Sequence, residues 1–256
     1  MIKVTFLGTG TSQGVPVIGC QCEVCSSENP KDKRLRSSIF IETETANIVI
    51  DTGADFRQQM LREKVRKLDA VLFTHEHKDH TAGLDDIRPF NFLQKKNMPL
   101  YATKKVLGQI QQEFAYIFAE KRYPGIPQVE LHEISKEKSF CVEQTKITPI
   151  EVFHHRLPVL GFRIENFTYI TDANYIASEE MAKIYGSKIL VINALQREKH
   201  ISHYNLEEAI AVAQHIGAEM TYFTHISHKM GLHDEVSKEL PENIKIAYDG
   251  LSFVVD

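Results

Sequence analysis

The sequence predicts an α/β (α+β) fold of the αββα type, two mixed sheets packed face to face with helices outside. Three observations lead there. Each half of the chain reads as strands first and helices after. The polar residues richest in ligand chemistry stand just past strand ends, where a rigid sheet can aim a loop. No internal repeat, low-complexity stretch or linker-like change of composition divides the 256 residues.

The elements follow in order. Met1 to Leu7 alternates apolar and polar residues and is too short for a signal peptide, so it reads as a strand. Ile39–Glu42 and Asn47–Ile50 form a hairpin ending in Asp51-Thr52-Gly53. Phe56, Met60, Leu61, Val65 and Leu68 share roughly one helical face. Ala70 to Phe73 is a buried strand, and the cluster Thr74-His75-Glu76-His77-Lys78-Asp79-His80 hangs from its end. Thr103 to about Ala119 has helical periodicity, broken by Tyr123-Pro124-Gly125-Ile126-Pro127. In the second half, strands are expected at Lys146–Val152, Leu160–Ile164 and Thr168–Ile170, the last leading into Thr171-Asp172. A helix around Ser178–Tyr185 and a strand at Lys188–Asn193 come next. Asn205 with Glu208 spells a capping box for a helix that turns Leu206, Ala209, Ile210 and Ala213 inward. Strand Thr221–Thr224 then delivers His225-Ile226-Ser227-His228.

Composition narrows the functional classes. Hydrophobic residues at 43% and charged residues at 25% suit a globular core. Thirty basic against 34 acidic side chains give a net charge of −4, so no global field draws the chain to polyanions and a nucleic-acid substrate is disfavoured. No apolar run of about 18 residues exists to span a membrane, and a cytoplasmic location is expected. Five of the 12 histidines fall in two short clusters, His75/His77/His80 and His225/His228. Cys20, Cys22 and Cys25 crowd together while Cys141 stands alone, a pattern that suggests metal rather than disulfides.

In an extended segment, residues two apart face the same side, so His75 and His77 can bind one ion. If the chain then turns, Asp79 and His80 can face a second, and the small Thr81-Ala82-Gly83 leaves room for that turn. The loop Gly8-Thr9-Gly10-Thr11-Ser12-Gln13-Gly14 fails the dinucleotide pattern, because Gln13 stands where the third glycine belongs and Val15-Pro16 follows instead of a helix.

Thr74-His75-x-His77-x-Asp79-His80 resembles the signature of the metallo-β-lactamase superfamily, and further pieces match in order. Ile50-Asp51-Thr52-Gly53 resembles its first motif, which implies that Asp51 braces the histidine loop from behind. Thr171-Asp172 resembles the aspartate that bridges both metals, and Thr224-His225 the final histidine ligand. The remaining ligand should be one of the adjacent His154 and His155. In the relatives it lies six positions before a Gly followed by an aromatic residue, and Gly161-Phe162 then selects His155. Gly19-Cys20-Gln21-Cys22-Glu23-Val24-Cys25 together with Thr224-His225-Ile226-Ser227-His228 is similar to the phosphoribosyl 1,2-cyclic phosphate phosphodiesterase family of the carbon–phosphorus lyase pathway.

That resemblance implies one domain over residues 1–256, with a structural-zinc loop around 19–26 and a variable helical insert around 90–127. It implies a dinuclear centre of zinc or manganese, with His75, His77 and His155 on one ion, Asp79, His80 and His225 on the other, and Asp172 between them. It implies a structural zinc on Cys20, Cys22, Cys25 and His228; on bare sequence Cys141 competes as the fourth ligand. The glycine loop would border the site, and Asp249-Gly250 would be structural. Ser202-His203-Tyr204-Asn205-Leu206 resembles the segment carrying a non-ligand histidine that protonates the leaving oxygen. The expected activity is hydrolysis of a cyclic or small phosphodiester by a hydroxide on the metal pair, with a homodimer as the assembly. A tRNA 3′-processing endonuclease, a thioester hydrolase of the glyoxalase II kind and a non-catalytic zinc-stapled module are the rivals. His132, His200, His215 and His233 are expected to serve no site.

Overall fold

The computed structural model describes residues 1–120 and 123–256. One sheet takes β1 (Ile2–Gly8), β2 (Ser38–Glu42), β3 (Asn47–Ile50), β4 (Ala70–Leu72), β5 (Met98–Ala102), β6 (Val129–Glu133) and, at its edge, β15 (Ser252–Val255). Their order is β15-β1-β2-β3-β4-β5-β6, antiparallel as far as β3 and parallel beyond it. The other sheet takes β7 (Phe140–Val142), β8 (Thr145–His154), β9 (Leu157–Ile164), β10 (Phe167–Tyr169), β11 (Tyr175–Ile176), β12 (Ile189–Asn193), β13 (Met220–Thr224) and β14 (Ile244–Ile246). It runs β11-β8-β9-β10-β12-β13-β14 with β7 on β8, and it too is antiparallel first and parallel from β10 onward.

Three apolar layers follow from that arrangement. Ile39, Ile41, Ile48 and Ile50 of the first sheet meet Phe162, Ile164, Phe167 and Tyr169 of the second, so the sheets are glued face to face. The outer face of the first sheet is covered by α2 (Phe56–Arg62), α4 (Arg88–Gln94), α5 (Lys104–Glu113) and α6 (Ala115–Phe118) through Phe56, Phe90, Val106, Ile110 and Ile117. The outer face of the second is covered by α7 (Ser178–Ile184), α8 (Leu206–Ile216) and α9 (His233–Glu239), with Ile184, Ala209, Ala213 and Val236 inward. Two short helices, α1 (Glu23–Ser26) and α3 (Lys78–Thr81), lie in the loops that carry the cysteines and the first histidines. No helix among the described residues is long and apolar enough to cross a membrane.

The capping box is present: Glu208 N–H donates to Asn205 Oδ1 at 2.9 Å and Asn205 N–H to Glu208 Oε2 at 3.1 Å. Elsewhere the expectations need correction. The helix expected from Thr103 to Ala119 breaks at Phe114, whose ψ of 39° leaves the helical region. Residues 90–127 are not wholly a helical insert, because β5 pairs with β4 on one side and β6 on the other and so belongs to the sheet. Pro99 hides this strand in the sequence, since proline argues against a strand interior. Finally, β8 continues past the expected Val152 to His154.

Candidate metal centre

The parallel strands end on one rim, and the loops leaving them converge. Just past β3, Asp51 is fully buried and adopts φ 65°, a left-handed backbone rare outside glycine. Its Oδ1 accepts from Thr74 N at 2.9 Å, and its Oδ2 accepts from Thr74 Oγ1 at 2.8 Å and from His80 Nδ1 at 2.7 Å. That last bond puts the His80 proton on Nδ1 and leaves Nε2 free to face the site. These three bonds tie the loop carrying residues 75–80 to the end of β3. Gly53 is needed for packing: any Cβ there would overlap the backbone carbonyl of Asp79.

The ligand-type atoms gather in two groups around Asp172. Its Oδ1 lies 3.2 Å from His225 Nε2 and 3.6 Å from His80 Nε2, and its Oδ2 lies 3.8 Å from His75 Nε2. One carboxylate oxygen thus faces each half. Asp79 Oδ2 completes the first group, 3.2 Å from His80 Nε2 and 3.8 Å from His225 Nε2. In the other, His75 Nε2 and His77 Nδ1 approach to 3.0 Å. Asp172 and His225 also hold positive φ, 55° and 56°. Strained backbone at three site residues fits loops shaped by function rather than by local preference.

His154, not His155, joins this cluster. The β8–β9 hairpin closes with His154 opposite Leu157, so His155 and Arg156 are the two residues of the turn. At φ 58° the His155 ring is thrown into solvent and only its backbone N–H is engaged, by Asn174 Oδ1 at 2.7 Å. His154 remains on the strand with its ring 5.3 Å from that of His77 and 4.4 Å from that of His203. Its Nδ1 donates to Ser202 O at 2.8 Å, leaving Nε2 as the free ligand atom. His203 is buried, stacked on His225 at 4.8 Å, and its Nδ1 has no hydrogen-bond partner among the described residues. Asp172, His154 and His203 also offer atoms within 4.8 Å of one another.

The electrostatics favour cations. Burial holds His75 well below the ordinary imidazole range, and the neighbouring His80 adds to this. Burial would do the same to His80, but Asp79, Asp51 and Asp172 outweigh it and raise His80 well above that range. The carboxyls of Asp79 and Asp172 are held far below normal despite burial, Asp79 chiefly by His80 and Asp172 chiefly by His225. Burial takes His203 down to about 3. Two carboxylates facing the buried imidazoles of His75, His80 and His225 are a donor set suited to cations, and a bound metal would displace any proton on the ring nitrogens it takes. The buried Nε2 atoms of His80 and His225 have no hydrogen-bond partner among the described residues, which fits the same reading.

A second group lies beside it. Cys20, Cys22 and Cys25 Sγ stand 3.3, 3.4 and 3.4 Å from His228 Nδ1. One ring nitrogen can serve only one hydrogen bond, so three equal contacts are better explained by a shared ion. Tetrahedral zinc with bonds of about 2.3 Å to sulfur and about 2.0 Å to nitrogen would place these atoms about 3.5 Å apart. Cys141, on β7, is exposed and takes no part. Ile226 N–H donates to Thr9 O at 2.8 Å and Thr11 N–H to Ile226 O at 3.1 Å, so the glycine loop lies against the residue after His225. Asp249 secures it by accepting from Thr9 N and Oγ1.

Sequence reasoning missed Asn174, which bonds beside two of the clustered histidines. Among the other histidines, His132 stacks on Tyr101, His215 bonds Tyr185, and His200 is exposed with its ring 5.2 Å from His203. His233 is buried, accepting from Arg34.

Residues 46–226 match the model of the beta-lactamase superfamily domain. A crystal structure described as a new diphosphatase from the PhnP family is 38% identical, covers 100% of this chain and 98% of its own, and superposes with a TM-score of 0.93. Zinc-bound PqqB from Methylobacterium extorquens shares the fold at 20% identity, with a TM-score of 0.80 over 99% of this chain and all of its own. An octanoyltransferase from Porphyromonas gingivalis is 40% identical over 100% of this chain, which spans only 52% of that protein's length.

Proposed function

Because the chain belongs to the metallo-β-lactamase superfamily and, within it, to the PhnP family, we propose that it hydrolyses a small cyclic or linear phosphodiester at a dinuclear centre. His75, His77 and His154 would hold one ion, Asp79, His80 and His225 the other, with Asp172 between them and a zinc on Cys20, Cys22, Cys25 and His228. This donor set suits zinc or manganese. The observation that carries the reading is Asp172, with one oxygen turned to each histidine group. When bound, the ions supply Lewis acidity, activating water and neutralising phosphoryl charge.

The chain's own residues do the rest. Asp51 fixes the His80 tautomer through Nδ1. Ser202 O does the same for His154. His203 is neutral in the free protein, and a phosphate anion beside it would favour its proton-bearing form. His203 would hold a proton on a ring nitrogen and pass it to the leaving alkoxide, a role supported by its burial beside His154 and His225.

The test compares His203→Ala on two substrates. Metal content should stay whole, with kcat down about 10²–10⁴-fold on an alkyl-leaving diester and far less on a nitrophenyl diester. Equal losses would make His203 a phosphate-positioning group, and loss of metal would make it a ligand. The end-to-end match with half of an octanoyltransferase supports a second reading, hydrolysis of an acyl ester or thioester at the same centre. A panel of cyclic and linear phosphodiesters, octanoyl thioesters and β-lactams separates the two.

A further inference from the structure

We infer that Asn174 is a positioning residue that sets His154 and His203 together, an inference that rests on the proposed hydrolytic site. Asn174 stands two residues after Asp172, and its backbone N–H donates to Phe153 O at 2.8 Å, just before the pairing of β11 with β8. Its main chain is thereby fixed beside the end of β8. Its side-chain amide then spans two loops. Oδ1 accepts from His155 N–H at 2.7 Å, and Nδ2 donates to Ile201 O at 3.1 Å.

Each end of that bridge is one or two residues from a reactive side chain. The His155 end holds the tight turn that follows His154. The Ile201 end holds the segment whose next carbonyl, Ser202 O, accepts from His154 Nδ1 at 2.8 Å. The residue after that is His203, its ring 4.4 Å from the ring of His154. Two rungs therefore tie the hairpin to the 201–203 segment, one an amide and one an imidazole. The amide rung keeps Ser202 O where it can select the Nδ1–H tautomer of His154. Without it the carbonyl drifts, the tautomer is no longer chosen, and His203 shifts with the segment. Asparagine suits the place because its short amide carries an acceptor and a donor on separate atoms, one for each loop; aspartate can serve only the His155 end.

The experiment uses the full-length chain with ¹⁵N-labelled histidine, reading ring signals by NMR alongside circular dichroism. The His154 ring signal is assigned with His154→Gln. In the unaltered protein His154 should show an Nδ1–H that exchanges slowly with water. Asn174→Ala and the milder Asn174→Asp should both lose that protection, while the His80 Nδ1–H, held by Asp51, keeps its own. With metals present, kcat on an alkyl-leaving diester should fall about 10- to 100-fold with KM little changed, as expected for groups displaced by a fraction of an ångström to about 1 Å. Asn174→Asp serves as the test if Asn174→Ala does not fold. A folded variant with an unchanged His154 ring signal overturns the inference. If the ring signal changes but no phosphodiester is hydrolysed even by the unaltered protein, the positioning stands and the substrate assignment falls.

Discussion

Replacing Asp51 with asparagine changes one atom of a buried brace and isolates what the brace does. The carboxylate accepts three hydrogen bonds, from Thr74 N, Thr74 Oγ1 and His80 Nδ1. An amide has one oxygen. Whichever way it is turned, its NH₂ meets a buried N–H, either that of the Thr74 backbone or that of His80. The backbone cannot adapt, whereas His80 can move its proton to Nε2, the nitrogen that faces Asp79 at 3.2 Å and Asp172 at 3.6 Å. A ring protonated there has no lone pair for an ion. Restoring the binding tautomer leaves a donor facing a donor, at a cost of about 1–3 kcal/mol. At 1.4 kcal/mol per decade, the ion at Asp79, His80 and His225 should bind about 5- to 150-fold more weakly. The range agrees with the roughly 10- to 100-fold typical of lost outer partners. The ion at His75, His77 and His154 should be affected far less. Competitive metal titration against a chelator, resolving two binding steps, measures this directly. A folded Asp51→Asn protein that binds both ions as tightly as its parent would refute the tautomer argument.

Other outcomes follow from the same geometry. Cys22→Ser should lose one zinc per chain and lower the melting temperature while the catalytic pair stays partly occupied, and Cys141→Ser should change neither; elemental analysis with thermal denaturation checks both. His154→Ala should lose metal and activity, whereas His155→Ala should keep both within about twofold, because its ring faces solvent and the substitution leaves its backbone N–H in place; the reverse pattern would return the ligand to His155. Gly53→Ala should push the Asp79 backbone away and cost about 1–3 kcal/mol of stability as overpacking does, together with most turnover, while Gly108→Ala, with open space around it in α5, should be neutral or stabilising by about 0.5–1 kcal/mol.

Much of the site was legible because its residues are close in sequence. His75, His77, Asp79 and His80 leave one strand in an extended segment and a single helical turn, so spacing alone sorted them into two groups. The crowding of three cysteines was equally plain, although spacing alone left Cys141 in competition and the choice of His228 rested on the family resemblance. His154 and His155 illustrate where sequence fails. Adjacent residues of one type are told apart only by where a two-residue turn begins, and one position of register reverses which ring points inward. The paired β5 and β6 were missed for a different reason: Pro99 breaks the apolar run, and the polar Glu130 and His132 dilute the strand pattern of Val129–Glu133. Asn174 carried no signal at all, since its partners are backbone groups that no sequence pattern reveals.

The pairing of β1 with β15, Ile2 opposite Val255, has a kinetic meaning. Thr5 and Ser252, which share a hydrogen bond, are 247 positions apart, and Asp249, which secures Thr9, lies 240 positions from it. On a ribosome, β1 emerges long before its edge partner is made. Until then it offers an open strand edge, and the glycine loop lacks the carboxylate that anchors it beside His225. Contacts of such long range are slow to close. Assembly of the metal-binding rim should therefore be a late event in folding, and nascent chains stalled before Asp249 should retain metal poorly even with every cysteine and histidine already synthesised.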